Sequence, residues 1–125
     1  MRWRVDLRRD ASPSRQIVEA VLDALASGEL AAGAKLPSVR EMAAEALVNH
    51  NTAARAYRDL EQLGAVEGRN GLGVFVAGKG PRIARDLRRA ETLEAFDRSL
   101  AAALRAGHEL GDLLGRVQAN KRKSA

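Results

Sequence analysis

The chain has no cysteine and four aromatic residues among 125, and each shortage closes off some chemistry. Without cysteine there is no disulfide, no thiolate nucleophile and no thiolate-bound metal, and a reducing setting suits such a protein. With one Trp, one Tyr and two Phe, a core must be filled mainly by Ala, Leu and Val, a palette that favours helices. Long apolar runs are missing too: the longest are a few residues, against the roughly 18 to 20 that span a bilayer. The N-terminus MRWRVDLRRD is charged throughout and unlike a signal peptide, so a cytoplasmic, nucleoid-associated protein without membrane contact is expected.

Catalytic groupings are equally scarce. His50 and His108 are separated by a predicted core and come without the companion set that a metal site needs. Gly71-Leu72-Gly73 is a fragment of a phosphate-loop pattern lacking its helix and its third Gly. No nucleophile and base stand together. The reading is a non-enzyme with no cofactor.

What is present is positive charge, net +5, and it is grouped. Arg2, Arg4, Arg8 and Arg9 crowd the start, Arg82, Arg85, Arg88 and Arg89 follow Pro81, and Lys121, Arg122 and Lys123 come near the end. A polyanionic partner fits this balance. Between Lys35 and Lys79 the charges nearly cancel, so binding there has to come from placement.

Trp3 to Leu7 alternates apolar and polar residues, the pattern of a short half-buried strand. Ser12-Pro13 reads as a helix start, Ile17, Val18, Val21, Leu22 and Leu25 form its apolar stripe, and Gly28 ends it. The segment ELAAGAKLP is a loop. Ser38 and Glu41 have capping-box spacing and open a short helix that runs to about Ala46. Asn49 caps a third helix lasting until Gly64, with Ala53, Ala56, Tyr57, Leu60 and Leu63 on one side and Asn51, Arg55, Arg58 and Gln62 on the other. Asn70-Gly71 joins strand-like pieces at 65–69 and 73–77, a hairpin that the Trp3 to Leu7 strand could extend or pack beside.

Three helices, two joined by a tight turn, followed by a hairpin, make a winged helix-turn-helix. The plainer alternative is a trihelical bundle whose polar face is merely solvated. Residues 15–80 resemble the DNA-binding domain of GntR-family bacterial transcription regulators. Four ordered blocks carry the resemblance: G-E-L-x-x-G-x-x-L-P-S-x-R-E from Gly28, V-N-x-N-T from Val48, A-Y-x-x-L-E-x-x-G from Ala56 and G-x-G-x-F-V from Gly71. The resemblance implies that Arg40, then Asn49, His50, Asn51 and Thr52, and the wing tip at Asn70 and Gly71 approach DNA.

Chemistry is compatible with each role. Arg40 can fork onto guanine or a phosphate, Asn51 can pair with adenine, and Thr52 can meet a phosphate or a thymine methyl, or else serve the helix start. His50 is either a base contact or a solvated residue. At least one of Arg55 and Arg58 is expected on a phosphate, and Ser38 and Arg69 complete the candidate set. The chain departs from the family at Ala46-Leu47, where Leu then Gly is usual, and at Ala53, where Val is common. Leu47 is expected to fill the space of the displaced leucine and to hold the two helices together with Met42, Ala53 and Tyr57.

The domain reading is a winged helix-turn-helix over 1–78, a linker at 79–81, a two-helix dimerisation region over 82–120 and a basic, disordered tail at 121–125. The fold class is mainly α with a small β-wing. Leu87, Leu93, Phe96, Leu100, Leu104, Leu110, Leu113 and Leu114 form an apolar seam with too little chain to cover it. Gly107 breaks the seam's long helix. Such a two-helix tail looks like that of the YtrA-like group, where it is implied to dimerise. The expected function is transcription regulation, repression above all, on a palindromic operator in double-stranded DNA, with room for a small-molecule effector only at the dimer interface. The alternative is a protein-interaction module built on the long helix.

Overall fold

The computed structural model describes residues 3–124. Arg2 of the N-terminal basic cluster and Ala125 of the expected tail lie outside them, and the side chain of Ser124 is not described. Seven elements follow in order: α1 Pro13–Ala26, α2 Val39–Ala46, α3 His50–Gln62, β1 Val66–Arg69, β2 Gly73–Val76, α4 Gly80–Arg105 and α5 Leu110–Ser124. They divide into two compact units, one ending at Arg89 and the other beginning at Ala90, so α4 belongs partly to each.

In the first unit, short-range side-chain chemistry sets the helix starts. Ser12 Oγ accepts from the Arg15 amide with Pro13 at the first helical position. Ser38 Oγ accepts from Glu41 N–H at 3.0 Å while Glu41 Oε1 accepts from Ser38 N–H at 2.8 Å, a complete capping box. Asn49 Oδ1 accepts from Thr52 N–H at 2.8 Å. The stripe of α1 is fully buried against Met42, Ala46, Ala53, Ala56 and Leu60. Each large apolar side chain so buried stabilises by about 1.5–3 kcal/mol.

β1 and β2 pair antiparallel, Val66 with Val76 through Arg69 with Gly73. Leu72 N–H returns to Arg69 C=O at 2.9 Å, and the positive φ falls on Gly71, the third turn position, while Asn70 stays in the ordinary region. The other edge of β2 is occupied by residues 33–36, a segment expected to be loop. Leu36 N–H donates to Val74 C=O, Val76 N–H to Ala34 C=O and Gly33 N–H to Val76 C=O, with a bridge between Lys35 and Phe75.

Trp3 to Leu7 is not a strand and does not join the wing. Its carbonyl and amide at Asp6 are taken at 2.8 Å each by the carboxamide of the nearly buried Gln16, which also donates to Ala11 C=O. Trp3 is buried as the alternation suggested, but Leu7 is exposed.

Three further expectations change. Leu47 does not fill a core space: it is 66% exposed and adopts φ 59°, ψ 49° directly after α2, while Ala46 is the buried residue. The Ala43 carbonyl accepts from both the Leu47 and Val48 amides, so the chain reverses in a left-handed turn where glycine would be at ease. Gly80 and Pro81 are not linker but the first turn of α4, and Gly80 is packed so closely that a Cβ there would run into the carbonyl oxygen of Ala65. Ala84 is buried, Leu87 packs on the core of this unit rather than joining the seam, and Arg88 Nε holds Asp23 of α1 at 2.7 Å. The first unit therefore extends to Arg89 rather than to residue 78.

The second unit is a helical hairpin turned at Gly107, whose φ is 99°. Lys121, Arg122 and Lys123 form the last turn of α5 instead of a disordered tail, placing cations at the negative end of the helix dipole. Among its described residues none is buried, and Leu93, Phe96, Leu104, Leu110, Leu114 and Val117 are each about half exposed. Phe96, Leu100, Ala103, Leu113 and Val117 line an apolar groove of about 180 Å3. No described helix is long and apolar enough to cross a membrane.

Candidate nucleic-acid interface

On α3, Ala53, Ala56, Tyr57 and Leu60 turn inward and are essentially buried, which leaves the opposite side free. Tyr57 anchors the helix beyond its apolar contacts: its hydroxyl donates to the Pro37 carbonyl at 2.6 Å, tying α3 to the approach of α2. Burial pushes the Tyr57 phenol well above its ordinary range, and the charges of Glu45 and Glu41 add to this. It stays a neutral donor.

The free side carries the candidate residues. Asn49, Asn51, Thr52, Arg55 and Arg58 line a single open cleft of about 340 Å3 together with Pro13 and Ser14 from the start of α1. Neither Pro13 nor Ser14 is among the sequence-derived candidates, because Ser12-Pro13-Ser14 reads locally as nothing more than a helix start. Asn49 has a double task, since its Oδ1 is spent on the Thr52 amide and its NH2 group is what remains for a ligand. Ser38, Arg40 and His50 are exposed but lie outside the cleft. Ser38 Oγ accepts from the Glu41 amide, which leaves its O–H as a donor toward a ligand.

Electrostatic pairing distinguishes the cations. Arg8, Arg9, Arg15 and Arg88 of this unit each face an acid on Asp6, Glu19 or Asp23. Among the described residues, Arg40, Arg55 and Arg58 form no ion pair, which leaves three uncompensated guanidinium groups on the exposed sides of α2 and α3. An unpaired, solvated guanidinium can fork onto a phosphate or a guanine edge without first breaking an internal bond. Arg69 differs from them. Its guanidinium lies 4.4 Å from the Phe75 ring centroid and is paired with the half-exposed Glu67 at 3.0 Å, so its charge is partly met within the wing. Asn70, Gly71 and Leu72 at the wing tip are exposed. Among the described residues no group of His, Asp and Glu converges as a metal ion would require.

A helix with one buried and one unpaired basic face, beside a two-stranded wing, fits a nucleic-acid groove, and likeness to known proteins agrees with that geometry. The profile of the family described as bacterial regulatory proteins, gntR family, matches residues 13–76, just over half of the chain. The HTH-type transcriptional regulator YhcF of Bacillus subtilis, itself described as uncharacterized, is 45% identical over 83 residues, which make up 65% of this chain and 69% of YhcF. The HTH-type transcriptional repressor YtrA of Bacillus subtilis is 34% identical over 73 residues, 58% of this chain and 56% of YtrA. Among solved structures, YtrA from Sulfolobus acidocaldarius, a GntR-family transcription factor, is 28% identical with a TM-score of 0.61, over 78% of this chain and 99% of that one. A GntR family transcriptional regulator from Listeria monocytogenes shares the fold with a TM-score of 0.75 over 91% of this chain and 97% of that one, at 24% identity. The chain therefore belongs to the gntR family of bacterial regulatory proteins, as a YtrA-like DNA-binding transcription regulator.

Proposed function

We propose that the protein represses transcription by binding a palindromic operator as a homodimer. The observation that carries the DNA-binding part is the outward face of α3, where Asn49, Asn51, Thr52, Arg55 and Arg58 share one cleft and the cations have no acid partner among the described residues. In this reading the first turn of α3 enters a major groove of roughly 12 Å width. Asn51 and Thr52 meet base edges there, Arg55 and Arg58 take flanking phosphates, and Arg40 takes a guanine or a phosphate from the start of α2. Asn70 and Gly71 bring the wing tip to the neighbouring groove.

The dimer is supported by the second unit. A helical hairpin with no buried residue among those described and a groove lined by Phe96, Leu100 and Leu113 leaves its apolar surface in water unless another copy covers it. Two-fold pairing would present two α3 helices to half-sites about one helical turn or more apart. Repression is the role named for YtrA of Bacillus subtilis, to which the chain is similar.

The test is selection of bound duplexes from a genomic fragment library followed by a salt titration on the winner. Specific binding to a palindrome, with log K falling linearly in log salt, is the expected result. Absence of any duplex held above nonspecific background would sink the reading and leave the protein-interaction alternative. On the selected site Arg40→Ala is expected to weaken binding by roughly 1–3 kcal/mol.

A further inference from the structure

The solvent side of the wing carries a cation that comes from neither strand. Lys35 lies in the segment stitched to the outer edge of β2, in a bridge with Phe75. Side chains alternate across a sheet, and register partners share a face. Lys35, Phe75 and Glu67 therefore project to one side with Gly73 and its partner Arg69, while Val66, Val74 and Val76 face the core.

On that outer side the stem of Lys35 crosses Gly73. A Cβ at position 73 would stand 2.9 Å from Lys35 Cε and 3.7 Å from its Nζ, and Gly73 also holds φ 118°. The missing side chain is thus a bed for the lysine. Arg69 lies on the neighbouring Phe75 ring, with its charge partly met by Glu67. Lys35 forms no ion pair among the described residues, its charge acting on the Glu41 carboxylate without contact, and its side chain is exposed. An ammonium held at its stem but unpaired at its tip is suited to a phosphate, as a point charge without the fork that reads a base edge.

We propose that Lys35 is a phosphate-binding residue of the DNA interface, anchoring the sugar-phosphate backbone beside the groove that the wing enters, on the opposite edge of β2 from Arg69. The inference rests on the proposed docking of α3 and adds a contact from the chain ahead of α2. Because a phosphate contact carries no sequence information, its loss weakens binding to all duplexes alike.

The experiment compares wild type, Lys35→Met and Lys35→Arg on two probes, the duplex selected from the genomic library and a mixed-sequence duplex of equal length. Lys35→Met keeps the stem over Gly73 and removes the charge. It is expected to weaken both complexes several-fold by similar factors and to lower the salt slope by about 1.8, one phosphate contact for each protomer of the proposed dimer, while Lys35→Arg restores both and thermal melting is unchanged. Wild-type binding together with an unchanged slope in Lys35→Met overturns the role of Lys35 alone. Loss of affinity confined to the selected duplex also overturns it, since that is base reading. Wild type that binds neither duplex overturns the docking of α3 and Lys35 with it.

Discussion

At the scale of single residues, Leu47 stands out because it is the one non-glycine residue with positive φ among the described residues, and it is mostly exposed. A side chain in the left-handed region costs roughly 1–2 kcal/mol, and little burial is lost on removing this one. Leu47→Gly is therefore expected to stabilise the protein by about 1 kcal/mol, read as a rise in the urea midpoint, whereas Leu47→Ala should give no comparable gain because it keeps a Cβ. Glu41 gives a second prediction, in pH. Hydrogen bonds from the Ser38 backbone and then its side chain hold the Glu41 carboxyl below its ordinary 4.5. A depressed carboxylate contributes stability that is fully present above the ordinary value and is lost as pH falls through the lowered one. Wild type should accordingly lose more stability than Glu41→Gln on acidification below about pH 4.5, and parallel denaturation profiles for the two would refute this.

At the scale of elements, legibility in the sequence follows the range of the interactions. The starts of α1, α2 and α3 were readable because Ser12, Ser38 and Asn49 bond amides three residues away, within sight of any sequence window. The strand-like role of residues 33–36 was not, because its bonds run from Leu36 to Val74 and from Val76 to Ala34, and nothing local in GAKL distinguishes a loop from an edge. Trp3 to Leu7 misled for the converse reason: the alternation was real, but Gln16, ten residues on from Asp6, had taken the backbone groups a ladder would need. Within the candidate interface, the face of α3 was visible from helical spacing, whereas the positions of Ser14 beside it and of Lys35 over Gly73 depend on elements that meet only after folding. Gly80 belongs here too, since it looked like linker and proved to be a contact between α4 and the carbonyl of Ala65. Gly80→Ala should cost about 1–3 kcal/mol by overpacking against backbone, measured by denaturation; full stability would show that α4 can shift without penalty.

At the scale of the molecule, the seam residues Leu93, Phe96, Leu100, Leu104, Leu110, Leu113 and Leu114 are the surface on which the proposed dimer depends. Leu100→Asp combined with Leu113→Asp places charges in the groove of the second unit and is expected to give monomers by sedimentation, with the first unit still folded. Operator affinity should then fall by roughly 100- to 10,000-fold, because the second half-site is no longer bound at high effective concentration. A double variant that still sediments as a dimer would refute the groove as the interface. The unburied hairpin beyond Arg89 also bears on how the protein responds to its own abundance. If the hairpin completes itself only against a second copy, then below the dimer constant the amount of reading-competent protein rises as the square of the total chain. Halving expression would then quarter the occupancy of a weak site, and a regulator with no ligand bound would still switch over a narrow range of gene dosage.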